Sequence, residues 1–238
     1  MEWFLDNRPQ VFNLAGYHLI QAIVPLVLGV LIAVPLAQLA RVNKVASGII
    51  LSVGSLLYTV PSLALFVILP SILGTRILDF TNIIVALTIY AVALLVRSTL
   101  DALNSVDDNL RQAATAMGYR PVQRFLSVDL PLSIPVLFAG LRVISVSNIS
   151  LVSVGSLLGI PSLGFLFTDG LQRNFPTEIV VGIVGTLALA LLMDVVLVLL
   201  QRLLTPWLRS SKSATRSRGS SHTASDSKTS STTSEVSA

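Results

Sequence analysis

Few side chains in this 238-residue sequence are equipped for bond-making chemistry. It contains no cysteine, which removes disulfides, thiolate metal sites, a cysteine nucleophile and a lipidated cysteine. His18 and His222 lie far apart, and neither belongs to an H-E-x-x-H pair or another ligand cluster. No G-x-x-x-x-G-K-[ST] phosphate loop occurs. Two features remain. One is Asp194, the single acid well inside an apolar run, expected to be hydrated or paired with an arginine such as Arg202 in a structural role. The other is RQAATAMGYRPVQRFLSVDLP, residues 111–131, whose residue types suit association rather than catalysis.

The spacing in that stretch predicts two short helices. Ser105-Val106-Asp107-Asp108 fits an S-x-x-D capping pattern, and Asp107 and Asp108 suit the positive end of a helix dipole. Leu110, Ala113, Ala114 and Met117 recur at helical spacing, giving one apolar face with small residues at its middle. Gly118 supplies a left-handed stop, so the helix is expected over about residues 106–118. Pro121 fits the first turn of a second helix carrying Val122, Phe125 and Leu126, and Leu130-Pro131 closes the element. A membrane-surface anchor would set bulky apolar residues against a Lys/Arg-rich face. Two adjacent alanines instead admit a close backbone, which points to docking in a cleft of a partner protein.

The elements that must hold this stretch are membrane spans. Hydrophobic residues make up 53% of the chain and charged ones 12%, with mean hydropathy +0.80, against about 25% charged in soluble domains. Five apolar blocks, roughly 18–40, 47–73, 82–100, 133–158 and 179–204, are long enough to cross a bilayer. With the N-terminus outside, Lys and Arg divide 13 inside to 3 outside, so the C-terminus and the 101–132 loop are expected in the cytoplasm. The first block is expected to be retained as a span, since its flanks lack the pattern of a cleaved signal. The net charge of +4 follows this topology, and no aromatic-interleaved basic patch suggests nucleic acid.

Two spans carry polar or helix-breaking features. Pro61, within YTVPSLALF, is expected to kink or break the second span, and Tyr58, Pro61 and Ser62 could face either a pathway or ordinary packing. In the fourth block Ser145, Asn148, Ser153, Ser156 and Gly159 share an arc of about 140°, suited to helix–helix packing or to lining a route. Residues 159–176 are expected as an outer loop with a short helix, not a sixth crossing. Residues 1–209 thus form one membrane domain. Residues 210–238 hold 12 Ser and 5 Thr and are expected to be a disordered tail.

Gln112-Ala113-Ala114, Gly118 after three more residues, then Val128 and Leu130-Pro131 resemble the coupling loop of bacterial ABC-importer permeases. That family has Glu at the position of Gln112 and Ile at that of Val128. TVPSLALF, SIPVLFAGLR and the Leu163-Gly164…Gly170-Leu171 pattern resemble its subgroup for glycine betaine, choline, carnitine and proline. The resemblance implies an all-α, five-span permease of the type I importer fold in the bacterial cell membrane. It implies as partners an ATPase subunit holding ATP and magnesium, a second permease and an external solute-binding protein, with no cofactor in this chain. Asp108, Leu110, Gln112, Ala113, Ala114, Met117, Gly118, Leu130 and Pro131 would then serve ATPase coupling. The alternatives are a permease for amino acids such as methionine, and an ion-coupled secondary transporter, which would show internal repeats and paired intramembrane charges.

Overall fold

The computed structural model describes residues 2–76 and 79–207; the Ser/Thr-rich tail lies outside the described residues. Among them the chain is helical, with no strand. A short α1 (Glu2–Asp6) precedes α2 (Arg8–Val42), α3 (Lys44–Thr59), α4 (Ser62–Leu73) and α5 (Phe80–Asn104). The polar stretch forms α6 (Asp108–Ala116), α7 (Pro121–Arg124) and a π turn (Phe125–Asp129) that runs into α8 (Leu130–Gly155). A 3₁₀ turn, α9 (Phe165–Gln172) and α10 (Pro176–Leu204) complete the fold.

Four helices, or helix runs, are long and apolar enough to cross a membrane, and the α3–α4 pair makes a fifth if counted as one bent span. The five expected blocks are thus present, with different edges. The first starts at Arg8 instead of near residue 18, because Pro9 opens the helix at a first-turn position where its missing N–H costs nothing. The fourth does not start after Leu130-Pro131; helix continues from Pro121 to Leu158. The widened turn at Phe125–Asp129 lies where the Pro131 ring would otherwise meet the carbonyl of Ser127.

The core is α2, α5 and α8. Buried residues of α2 recur every three or four positions, and many are small: Ala22, Gly29, Ala33, Ala37 and Ala40. Small residues let backbones approach closely where no water drives the helices together. At Gly29 a Cβ would lie 2.8 Å from Ala91 Cβ and 3.0 Å from Leu95 Cδ1 on α5. Against this core, α3 has no buried residue and α10 only four, Glu178, Gly182, Met193 and Leu197. Those helices present their apolar faces outward, as spans facing lipid or another subunit do.

Pro61 breaks the second span. α3 and α4 meet at 103° across Val60 and Pro61, both extended, the conformation that a residue preceding proline favours. The freed carbonyl of Val60 accepts the Tyr90 hydroxyl at 2.5 Å, so the break is satisfied from within the protein. Asp79, just ahead of α5, accepts the Thr81 N–H at 2.8 Å, and that bond holds its carboxyl below the usual range. At the same end, α9 is an eight-residue helix, too short to cross. Leu163 and Leu166 there pack with Val11 and Leu14 of α2, and Arg173 pairs with Asp169 and, at 2.6 Å, with Glu178.

Asp194 has a defined partner, and it is Arg142 on α8. The guanidinium forks onto the carboxylate with Nε–Oδ1 at 2.5 Å and a second bond of 2.7 Å, joining α8 to α10. A paired charge is the tolerable form of an ionisable group in a span.

Packing at Gly29 predicts a measurable asymmetry. Gly29→Val should cost about 1–3 kcal/mol by overpacking and lower the thermal midpoint of the purified protein. Gly16→Ala, with nothing within 4 Å of its Cβ, should not. Equal midpoints for both variants would contradict the close α2–α5 contact.

Candidate functional site: the braced loop between α5 and α8

α6 starts two residues later than the capping pattern suggested. Its N-cap is Asp107, whose carboxylate accepts the Asn109 N–H at 2.9 Å. Ser105 instead ends α5, donating to the Ala102 carbonyl at 2.7 Å. The helix therefore covers Asp108–Ala116, shorter than the expected 106–118. Its far end is a Schellman motif: Gly118 N–H bonds Thr115 O at 3.0 Å and Tyr119 N–H bonds Ala114 O at 3.2 Å. Gly118 has φ +87°, where an L side chain is strained, so the predicted glycine stop is present.

The apolar stripe of α6 does not point at its own subunit. Leu110 is 49% and Met117 70% exposed, and Ala113 is exposed too, whereas Ala114 is 2% exposed. The inward direction runs through Ala114 and Arg111, about 80° from the stripe's centre at roughly 100° per residue. Ala114 thus brings α6 close to its own chain, and Ala113 lies on the open side. Val122 and Leu126 are also exposed and extend the apolar surface beyond α6. Asp108, Gln112, Thr115 and Ala116 line an open cleft of about 460 Å³ with Arg111 and Arg124. Leu130 and Pro131 are half-buried in the first turn of α8.

What fixes this loop is a carboxylate that spacing alone passed over. Asp129, at the end of the π turn, is fully buried. Three arginines surround it: Arg111 Nε at 3.1 Å, Arg41 from the end of α2 at 3.3 Å and Arg124 from α7 at 3.7 Å. Arg111 uses its whole guanidinium, donating also to Asp108 at 2.5 Å and to the Leu103 carbonyl of α5 at 2.5 Å. One planar fork thereby ties α5, α6 and the π turn together. Arg124 also donates to Thr115 Oγ1 at 3.0 Å, which fastens α7 to α6. The available signal was Asp129 as the lone acid between Asp108 and Asp169, close in sequence to Arg111, Arg120 and Arg124. No sequence signal reaches Arg41.

The six residues named for a route fall apart into two groups. Ser145 and Asn148 are each 1% exposed, held between helices of this subunit, and Ser145 donates to the Arg142 carbonyl at 2.9 Å. Ser153 is half-buried near them. Tyr58, Pro61 and Ser62 lie at the α3–α4 break, with Tyr58 and Pro61 exposed. Tyr58 borders a groove between α3 and α5 that Ser145, Asn148 and Ser153 do not line.

A bundle of membrane-length helices with one braced polar loop, apolar on its open side, defines a multi-pass membrane component. The chain belongs to the family of binding-protein-dependent transport system inner membrane components, whose model matches residues 26–210. It is accordingly a multi-pass protein of the bacterial inner membrane and a transport component. It is 31% identical over 209 residues to the osmoprotectant import permease protein OsmW of Salmonella typhimurium, covering 87% of this chain and 97% of that protein. It is 29% identical over 206 residues to the glycine betaine/carnitine/choline transport system permease protein OpuCB of Bacillus subtilis, covering 87% and 94%. In fold it matches a chain of the MetNI methionine ABC transporter, with TM-score 0.71 at 22% identity over 82% of this chain and 96% of that one. The expected type I importer permease fold is therefore observed.

Breaking the brace should loosen the loop without unfolding the spans. Removing one partner of a buried ion pair costs about 3–5 kcal/mol, so Asp129→Asn should speed hydrogen exchange over residues 108–124. Exchange inside α5 should be unchanged, and adding Arg111→Gln should recover part of the loss. Unaltered exchange in α6 would contradict the brace.

Proposed function

We propose that this chain is the permease subunit of an ATP-driven importer for compatible solutes bearing a quaternary ammonium or related zwitterion. The observation that carries this is the α6 loop: apolar and exposed on Leu110, Ala113 and Met117, yet fixed from behind by Asp129. Such a loop transmits a push and carries out no chemistry itself. The solute class comes from relatives along nearly the whole chain whose names include osmoprotectant import and glycine betaine, carnitine and choline transport.

In this reading a separate ATPase subunit, with its ATP and magnesium, seats α6 in a cleft, and a second permease and an external binding protein complete the assembly. The distribution of Lys and Arg supports a cytoplasmic loop with the N-terminus outside. Closing of the ATPases moves the loop, and Arg41 and Leu103 carry that movement directly into α2 and α5. Gln112 lines the cleft beside α6 as a neutral hydrogen-bonding group where related permeases carry Glu.

Reconstitution of the chain with its ATPase and binding protein in proteoliposomes tests both parts. Uptake of glycine betaine or choline, and not methionine, supports the solute class; methionine uptake alone refutes it. Met117→Glu puts a charge on the docking face and should abolish uptake while leaving the protein inserted. Gly118→Pro should do the same, because proline holds φ near −65° and cannot adopt +87°. Wild-type uptake by both variants would refute docking through α6.

A further inference from the structure

α3, the first half of the bent second span, has no residue buried in the subunit, and one side of it borders a groove of about 350 Å³ against α5. Small-molecule sites run from roughly 300 to 1,000 Å³, so this one is sized for a small solute. Its floor is a close helix approach, for a Cβ on Gly54 would lie 3.4 Å from the Ala93 carbonyl oxygen. Four residues beyond each of these, in opposite directions along antiparallel helices, come Tyr58 and Arg97, and both line the groove. Their backbones are thus about 12 Å apart along the bundle, a gap that two long side chains and one small molecule fill.

Each end has its own chemistry. Tyr58 is 49% exposed and is fixed edge-to-face by Tyr90, with ring centroids 5.9 Å apart at 85°. Tyr90 is itself anchored by its bond to the Val60 carbonyl at the helix break. A fixed, open aromatic face attracts a quaternary ammonium. At the other end Arg97 is exposed within a membrane-spanning helix, and no carboxylate among the described residues pairs with it. Arg142 on α8 is, by contrast, matched by Asp194. An arginine left without a counter-charge in a span calls for an anionic partner from elsewhere.

We propose that the α3–α5 groove is a transit site for a zwitterion, with its quaternary ammonium on Tyr58 and its carboxylate on Arg97. This rests on the solute class proposed above and assigns to the permease a share of the selectivity. The complete importer in proteoliposomes, with its ATPase and binding protein, tests it through the ratio of glycine betaine to choline uptake, since choline lacks the carboxylate. Arg97→Gln should lower glycine betaine uptake roughly tenfold or more while choline uptake and ATPase activity stay at the wild-type level. Arg97→Lys should recover part of the loss. Tyr58→Leu should lower uptake of both solutes and Tyr58→Phe of neither. Equal loss of both solutes in Arg97→Gln, or no loss, overturns the site while wild-type uptake keeps the solute class intact; such a result would fit an arginine that serves lipid headgroups or packing. Wild-type uptake of neither solute overturns the solute class itself, and this occupant with it.

Discussion

A carboxylate taken out of water survives as an ion only if charge and hydrogen bonds are supplied where it sits. Asp129 receives charge from arginines at the end of α2, in α6 and in α7, and a hydrogen bond from Arg111 Nε to Oδ1. The consequence is mechanical. One group ties α6 and α7 to the end of α2, far away in the chain, so the loop cannot slide on the bundle without breaking several charged contacts at once. The direction in which α6 presents its apolar stripe follows from the same constraint. Arg111 must face Asp129, so Leu110, Ala113 and Met117 are turned to the open side. The π turn belongs to the device as well, since it ends on the buried carboxylate and admits Pro131 without a break in the helix.

The spans divide into a closed core and an open periphery. Small residues draw α2 onto α5 and leave little room for relative movement, which suits a body that must move as one piece. α3 and α4 are attached more loosely and bent at Pro61, where Tyr90 both satisfies the broken backbone and steadies Tyr58. The same tyrosine therefore links the architecture of the break to the chemistry of the groove beside it.

Much of this was legible in the sequence, and the exceptions have physical reasons. Hydropathy revealed the five blocks because lipid demands long apolar runs, and Pro61 and Gly118 announced a break and a stop because their backbones permit little else. Ser105 misled, because an S-x-x-D pattern does not tell a helix start from the end of the preceding helix. Leu110, Ala113 and Met117 lie open on α6 as docking requires, but Ala114 of the same face packs inward beside Arg111. Hydrophobicity marks an apolar face, but a buried ion pair can outrank it in deciding which side packs inward. Asp194 was recognisable as needing a partner, yet Arg142 lies on another helix, and periodicity carries no information about pairs between helices. Arg41 at Asp129 and Tyr90 at Tyr58 were hidden for the same reason.

Tied to one carboxylate, α6 and the end of α2 move as one body. The chain has no native cysteine, so spin labels can be placed at Asn109→Cys on α6 and at Val42→Cys, which is 69% exposed at the end of α2. The distance between the labels should be measured in the assembled importer with and without ATP. A single narrow distance, unchanged by ATP and broadened by Asp129→Asn, is the predicted result. A distance that shifts with ATP in the otherwise unaltered protein would show that the loop moves against the bundle, and would contradict the claim.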